Sequence, residues 1–246
     1  MKIKNNLLNF KDKIIYQNSD WFMFSLDSVL LANFVNIRPS DKKILDLATG
    51  NAPIPMLLTY RTKAKIYGVE LQKEIYDLGL ESIKENKFDN QIELINLDVK
   101  KIVDIYDSDS FDVITCNPPF FKTTSKEHLN DCDIKTIARH EVMLDLDSLF
   151  LVVKKVLKNK GVFAMVHRPE RFVEIIDKMR EFNLEPKRVQ FVYPKENKES
   201  NILLIEGVKN GNPGMKILPP LFVHNEDGSY VDEIKEMFGG NEDVAE

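Results

Sequence analysis

The fold of this chain is decided by the stretch Lys43-Ile44-Leu45-Asp46-Leu47-Ala48-Thr49-Gly50-Asn51-Ala52-Pro53. Its first five residues form a short, mainly apolar run that predicts a buried strand. The small residues that follow predict a turn, and the proline opens a helix over residues 53–60. A strand, a small-residue turn and a helix in succession predict the first unit of an α/β sheet, with a ligand site at the turn.

Strand and helix patterns continue to alternate towards the C-terminus. We predict strands over residues 43–47, 65–70, 92–97, 111–116, 161–167, 189–193 and 202–208, the last two as an antiparallel pair. We predict helices over residues 53–60, 73–87, 142–158 and 169–182. This alternation is typical of a doubly wound, mainly parallel, seven-stranded Rossmann-like sheet, in which ligands bind beyond the carboxyl ends of the strands.

The chain divides into three expected regions. Residues 1–40 predict a hairpin, with strands at residues 14–16 and 21–24, followed by a helix that Ser25 or Asp27 caps. Residues 41–210 would form the main α/β domain, and residues 211–246 an acidic C-terminal extension. Residues 121–138 are polar and lack a clear periodicity, so we expect a loop there that orders when the substrate binds.

Length and composition restrict the class of protein. With 246 residues, 43% of them hydrophobic, the chain is long enough for one large α/β domain. It has no apolar run of about 18 residues and no signal-peptide core, so we expect a cytoplasmic protein outside the membrane. Two cysteines and four scattered histidines show no metal-ligand spacing, so we expect no metal. The oligomeric state stays open, with a monomer favoured.

Three acidic residues stand at or near the ends of three successive predicted strands. Asp46 precedes a turn in which Ala48 and Gly50 let a ligand approach the backbone, but the turn lacks the G-x-G-x-x-G pattern of a dinucleotide site. Glu70 follows about 20 residues later, where an acid can bind two ribose hydroxyls. Asp98 ends the third strand and can accept from an adenine amino group. A nucleoside with a cationic tail fits these groups, and we predict S-adenosylmethionine as the cofactor.

The predicted strand over residues 111–116 runs into the tetrapeptide Asn117-Pro118-Pro119-Phe120. Prolines cannot continue a sheet ladder, so the chain enters a rigid, extended turn at the carboxyl end of this strand. The Asn117 amide oxygen and the Pro118 carbonyl can each accept one hydrogen of a planar amino group, and Phe120 can stack on the ring that carries it. These three residues are the predicted catalytic group. The simpler alternative is a turn that only ends the strand.

These motifs resemble those of the class I S-adenosylmethionine-dependent methyltransferases that modify exocyclic or amide nitrogens. The segments that carry the resemblance are the loop over residues 46–52, the acids Glu70 and Asp98, and the turn over residues 117–120. The resemblance implies that Asn117 also contacts the cofactor. Ala48 and Ala52 stand where the family usually has glycines, and their methyl groups are expected to crowd the methionine end of the cofactor.

A closer resemblance covers nearly the whole chain. Residues 24–31, 117–121, 139–141 and 167–171 look like those of the bacterial tRNA (adenine-N6)-methyltransferases, which act on the adenine 3′ of the anticodon in a valine tRNA. The resemblance implies N6-methylation of an adenine and a tRNA substrate. It also implies that Asp27 lies near the methionine end of the cofactor or near the target base.

Positive charge is concentrated in one part of the chain, although the net charge is −5. Residues 151–200 carry 12 Lys and Arg against 7 Asp and Glu, whereas residues 201–246 carry 3 against 9. The basic stretch indicates either an RNA contact or a solvated helix face. The residues expected to position RNA through its phosphates are Arg168, Arg171, Lys187, Arg188 and Lys195. For Arg171 the alternative is an ion pair with Glu174 along a helix.

Three other functions stay open. The same chemistry could serve another planar amino group, in a ribosomal RNA base or a release-factor glutamine, although residues 1–40 do not resemble the helical domain of the glutamine-modifying family. The chain could also be a non-catalytic RNA-binding module with a decayed cofactor loop. A nucleotide-dependent oxidoreductase is disfavoured, because the G-x-G-x-x-G pattern is missing.

Overall fold

Strands and helices alternate along the chain in a computed structural model that describes residues 1–8, 10, 12–18, 25–118 and 144–239. The strands are β1 (Lys2–Asn6), β2 (Ile14–Asn18), β3 (Lys43–Leu47), β4 (Lys65–Glu70), β5 (Ile92–Asn96), β6 (Phe111–Cys116), β7 (Leu157–His167), β8 (Leu184–Tyr193), β9 (Ile202–Lys209), β10 (Lys216–Ile217) and β11 (Leu221–Phe222). The helices are α1 (Leu26–Phe34), α2 (Pro53–Leu58), α3 (Lys73–Glu85), α4 (Ile102–Ile105), α5 (Leu146–Val156), α6 (Phe172–Glu181) and α7 (Asp232–Met237), with 3-10 turns at Val99–Lys101 and Pro169–Arg171.

One sheet of nine strands carries the fold, in the order β10-β8-β9-β7-β6-β3-β4-β5, with β11 also paired to β8. Strands β3 to β7 are parallel to one another, whereas β9 runs antiparallel between β7 and β8. The seven predicted strands are all present, and the two-residue strands β10 and β11 extend one edge. The sheet therefore has the predicted doubly wound, mainly parallel form.

The order of the strands places a crevice at the centre of the sheet. From β3, the chain continues to β4 and β5 on one side and later to β6 and β7 on the other. Such a reversal opens a crevice beyond the carboxyl ends of the two central strands. The register pairs Leu47 at the end of β3 with Cys116 at the end of β6. The loop after β3 and Asn117 after β6 therefore start side by side.

Both faces of the sheet are covered, which explains the short apolar runs of the central strands. Ile44 and Val113 are fully buried in the core that α1, α2 and α3 share. Leu45 and Ile114 are fully buried in the opposite core, to which α5 and α6 contribute. Neighbouring residues separate in this way because successive side chains of a strand point to opposite faces.

The N-terminal hairpin pairs β2 with β1. The strand predicted at residues 21–24 lies outside the described residues. β1 has no apolar pattern that would predict a strand, because its side chains are mainly polar and mostly exposed. Side chains of α3 hold β2 in place. The Tyr16 backbone N–H donates to the Ser82 hydroxyl at 2.9 Å, and that of Ile14 donates to the Asn86 amide oxygen at 2.9 Å.

Two helices, α5 and α6, differ most from the prediction in where they begin and end. The helix predicted over residues 142–158 begins at Leu146, because the Asp145 carboxylate caps it by accepting from the Ser148 backbone N–H at 2.8 Å. It ends at Val156, because Leu157 already pairs with β6 as the first residue of β7. The helix predicted over residues 169–182 opens with a 3-10 turn before α6.

The acidic C-terminal extension is described as far as residue 239. In it, β10 and β11 pair with β8, and α7 buries Ile234 in the core that α1 lines. Within the ranges described, no helix is long and apolar enough to cross a membrane. The predicted loop over residues 121–138 and the segment 139–141 lie outside the described residues.

Candidate active site

The loop after β3 contains three residues with left-handed backbone: Ala48 (φ 54°), Gly50 (φ 60°) and Ala52 (φ 68°). Glycine adopts this conformation freely, whereas an alanine costs about 1 kcal/mol. The Ala52 side chain is fully buried in the hydrophobic core, so the crowding expected from its methyl group is wrong. A side-chain carbon built on Gly50 would meet no atom within 4 Å. The crevice is therefore open at the middle of the loop.

Asp46 lies under this loop and holds it to the sheet. Its side chain is fully buried, and its two oxygens accept from the Thr49 and Thr115 hydroxyls, each at 2.6 Å. Burial raises the pKa of Asp46 to about 7, although the two hydroxyls lower it. Because it is fully buried, Asp46 can act on a ligand in the crevice through its charge, when it is ionised, rather than through direct contact.

The buried Asp46 makes the stability of the protein depend on pH. Its pKa is about 7 in the folded chain and about 4 in an unfolded one, so the folded state holds the proton more tightly. This contribution is complete below about pH 4 and is lost as the pH rises through about 7. As the pH rises over that range, we expect the free energy of unfolding of the wild type to fall by on the order of 4 kcal/mol relative to that of Asp46→Asn, which does not titrate. Urea unfolding of both proteins measures the difference, and a value that stays constant with pH would contradict the prediction.

Glu70 joins the loop to the end of β4. Its carboxylate accepts from the Gly50 backbone N–H at 2.9 Å and from that of Gln72 at 2.8 Å, and the residue is only 7% exposed. Burial raises the pKa of Glu70, against the backbone N–H groups that lower it. Each carboxylate oxygen has further acceptor capacity, so Glu70 can also bind hydroxyls of a ligand.

Gly68 in β4 makes room for the loop, and the sequence analysis assigned it no role. A side-chain carbon on Gly68 would lie 2.5 Å from Leu94 and 3.0 Å from Thr49, whose hydroxyl binds Asp46. The available signal was a glycine inside a strand, which often marks a close approach of another part of the chain.

Asp98 lies two residues beyond β5 and is half-buried. One of its oxygens accepts from the Lys100 backbone N–H at 2.9 Å and caps the 3-10 turn. Because β3, β4 and β5 are neighbours in the sheet, Asp46, Glu70 and Asp98 follow one another along the same edge. The structure thus brings the three predicted acids together.

Asn117 stands across the crevice from these acids, where β6 ends. Its side chain is half-buried, and its Nδ2 donates to the Ser28 hydroxyl of α1 at 3.2 Å. Pro118 is buried, and Phe120, the third predicted catalytic residue, lies outside the described residues. The sequence analysis missed Ser28, although it singled out the segment that contains it.

The start of α1 also lies near the end of β7. Burial raises the pKa of Asp27, and the positive charge of Arg168 partly opposes the rise. His167, the last residue of β7, is only 4% exposed, and burial lowers its pKa to about 4, so it is neutral at neutral pH. The start of α1 thus places Ser28 beside Asn117 and Asp27 near Arg168.

Three of the five predicted RNA-binding residues follow the carboxyl ends of strands at this edge. Arg168 and Arg171 follow β7, and Lys195 follows β8. Arg171 donates to Glu174 at 2.7 Å, which is the helix ion pair weighed as its alternative. Among the described residues, no group of side chains could hold a metal ion.

Lys187 and Arg188 lie in the first half of β8, away from this edge. The Arg188 guanidinium lies 4.6 Å from the centre of the Phe34 ring and donates to the Phe34 carbonyl at 3.0 Å. It also lies 3.6 Å from the carboxylate of buried Glu206. Lys187 donates to the Asn212 carbonyl at 3.1 Å. These contacts explain both residues within the fold, so we no longer assign them to RNA.

Comparison with known proteins places this fold and site in a class. That class is the methyltransferases. The family described as "Methyltransferase domain" matches residues 39–207, and the chain belongs to that family. Two relatives carry the name tRNA1(Val) (adenine(37)-N6)-methyltransferase. The one from Dyadobacter fermentans is 25% identical over 227 residues, which cover 92% of each chain. The one from Trichodesmium erythraeum is 27% identical over 214 residues, which cover 86% of this chain and 87% of its own.

Solved structures agree on the fold. A protein described as a "predicted O-methyltransferase" from Agrobacterium tumefaciens has a TM-score of 0.68 at 16% identity, over 86% of this chain and 95% of that one. A geranyl diphosphate C-methyltransferase from Streptomyces coelicolor has a TM-score of 0.56 at 13% identity, over 74% of each chain. The predicted fold class, the methyltransferase activity and S-adenosylmethionine as cofactor are confirmed.

Proposed function

We propose that this chain transfers a methyl group from S-adenosylmethionine to the N6 nitrogen of an adenine in tRNA, at position 37 of a valine tRNA. The observation that carries the proposal is the register of β3 and β6, which sets Asn117 beside the loop that Glu70 holds. The relatives with this activity in their names are similar over most of their length and of this chain, which supports the choice of substrate.

The acids and the loop fit the cofactor. Glu70 would bind the ribose hydroxyls, and Asp98 would accept from the adenine amino group with the oxygen that does not cap the 3-10 turn. Ala48 and Gly50 would border the methionine part, where the space beside Gly50 is open. Asp46, when ionised, would contribute a negative charge from beneath the loop, without direct contact with the cofactor. When bound, S-adenosylmethionine supplies a methyl group on a cationic sulfur that a nitrogen nucleophile can accept.

Asn117, Pro118 and Phe120 would receive the target adenine. The base must first leave its stack in the RNA, as enzymes that act on a base require. The Asn117 amide oxygen and the Pro118 carbonyl would then accept the two amino hydrogens, which turns the nitrogen lone pair away from both of them. Phe120 would stack on the ring, a contact worth about 1–3 kcal/mol.

The reaction needs no strong base from the chain. The amino nitrogen becomes cationic when it gains the methyl group, and it then loses a proton readily to water. Alignment of the two reacting groups would therefore supply most of the rate. Asp27, at the start of α1, would lie beside the target base or the methionine part and help to orient them.

The basic residues of the carboxyl edge would hold the RNA backbone. We expect the double variant Arg171→Ala and Lys195→Ala to weaken tRNA binding by roughly tenfold at moderate salt and to lower the salt slope by about two. Filter binding of tRNA at several salt concentrations measures both. Lys187→Ala, which removes a positive charge in the first half of β8, is the control and should bind normally. Equal salt slopes for the wild type, the double variant and Lys187→Ala would remove Arg171 and Lys195 from the proposed RNA site.

The test of the proposed function is methyl transfer from labelled S-adenosylmethionine to unmodified total tRNA, followed by nucleoside analysis. We expect label in N6-methyladenosine from one tRNA species. Label in ribosomal RNA or in a protein amide, with none in tRNA, would replace the substrate but keep the chemistry. Cofactor binding without transfer to any of these would favour a non-catalytic RNA-binding module.

A further inference from the structure

The Asn117 side chain has one hydrogen-bond partner among the described residues, the Ser28 hydroxyl. The contact is 3.2 Å long and joins residues 89 positions apart in the chain. Ser28 is 4% exposed, so water does not compete freely for its hydroxyl. The contact therefore connects α1 directly to the turn that follows β6.

The two ends of an amide group differ in chemistry, because the nitrogen only donates and the oxygen only accepts. The amino group of an adenine presents hydrogens, so only the oxygen of Asn117 can receive one. With Nδ2 on the Ser28 hydroxyl, Oδ1 takes no part in this contact. Rotation of the amide by 180° would instead point the NH2 hydrogens of Asn117 at the amino hydrogens of the target.

The backbone on both sides of Asn117 is fixed, so the freedom left to this residue is mainly that of its side-chain torsions. Cys116 before it is fully buried in β6, and Pro118 after it is buried with its φ angle locked by the ring. A hydroxyl can accept from Nδ2 or donate to Oδ1, and in this structure the Ser28 hydroxyl is the acceptor, which corresponds to the orientation with Oδ1 outside the contact.

Ser28 is itself a fixed reference point, because α1 is anchored at its other end. The Glu206 carboxylate accepts from the Asn36 backbone N–H at 2.8 Å, and the Arg188 guanidinium donates to the Phe34 carbonyl at 3.0 Å. Val29, next to Ser28, is fully buried in the core. A helix held at its end and along its buried face keeps the Ser28 hydroxyl in place.

We infer that Ser28 is a positioning residue, which orients the Asn117 amide so that its oxygen receives the amino group of the target. The inference rests on the proposed function for its effect on turnover. The contact itself does not depend on which planar amino group is the substrate.

The test compares Ser28→Ala with the wild type in methyl transfer to tRNA. We expect the turnover number to fall by about fivefold to tenfold, the usual effect of one hydrogen bond. The Kd for S-adenosylmethionine and the KM for tRNA should change by less than about twofold, because neither ligand is bound by Ser28. Ser28→Thr keeps the hydroxyl and should recover most of the turnover. Ser82→Ala removes a buried hydroxyl that binds the Tyr16 backbone N–H instead, and should keep the wild-type turnover number.

A double-mutant cycle separates orientation from general damage. If Ser28 acts through the amide, Ser28→Ala should have no further effect on turnover in an Asn117→Ala background. Full additivity of the two changes, or wild-type turnover in Ser28→Ala, would overturn the inference.

Nuclear magnetic resonance gives a readout that does not need the substrate. The side-chain NH2 signal of Asn117 is identified by its absence in Asn117→Ala. In Ser28→Ala we expect that signal to shift and its hydrogens to exchange faster with water. An unchanged signal would overturn the inference even for an active enzyme. If the Asn117 signal changes in Ser28→Ala but the wild type does not methylate tRNA, the proposed substrate is overturned and the role of Ser28 is kept.

Discussion

Replacing Asn117 with alanine is expected to lower the turnover number for methyl transfer by on the order of a hundredfold, with little change in the affinity for S-adenosylmethionine. The amide oxygen is the one side-chain acceptor that the turn after β6 offers to the target amino group, whereas the residues proposed to hold the cofactor are Glu70 and Asp98. Turnover at saturating tRNA and calorimetric titration with the cofactor measure the two effects separately.

Asn33→Ala is the matched control for Asn117→Ala. Asn33 is also a half-buried asparagine, but its amide nitrogen donates only within α1, to the Val29 carbonyl at 2.9 Å. Its loss should leave turnover near the wild-type value. Near-normal turnover in Asn117→Ala would show that the amide does not hold the amino group.

Replacing Glu70 with alanine is expected to raise the Kd for S-adenosylmethionine by at least about tenfold. The change removes the proposed acceptor for the ribose hydroxyls, and it also releases the Gly50 backbone N–H, which Glu70 binds at 2.9 Å. We therefore expect a lower Tm as well, because the buried N–H of the loop loses its partner. Turnover at saturating cofactor should fall much less than the affinity.

Glu93→Ala is the control for the loss of one negative charge on a neighbouring strand. Glu93 lies in β5 and is exposed, away from the loop after β3. Its replacement should change neither the Kd for the cofactor nor the Tm by much. A Glu70→Ala protein that binds the cofactor as tightly as Glu93→Ala would remove Glu70 from the cofactor site.

The central strands could be predicted from the sequence because they are buried on both faces. β3, β4 and β6 are short apolar runs, and their bounds agree with the structure. β1 could not be predicted, since its mostly exposed side chains have no apolar pattern. It pairs with β2. Contacts from Ser82 in α3 and from Asn86 just after it, more than sixty positions further along the chain, hold β2 in place.

The acids of the site could be predicted for a related reason, since the carboxyl ends of parallel strands meet at one edge. The contact of Ser28 with Asn117 could not, because it depends on how α1 packs over the end of β6. Arg188 was assigned to RNA from a local excess of basic residues. Its true partner, the buried Glu206, lies on the neighbouring strand β9, and no sequence pattern indicates that pairing.

The most direct test of the account is methyl transfer to an unmodified valine tRNA transcript, compared with the same transcript in which adenine 37 is replaced by guanine. We expect N6-methyladenosine in the first transcript and no transfer to the second. Equal transfer to both transcripts, or none to either by a protein that binds S-adenosylmethionine, would contradict it.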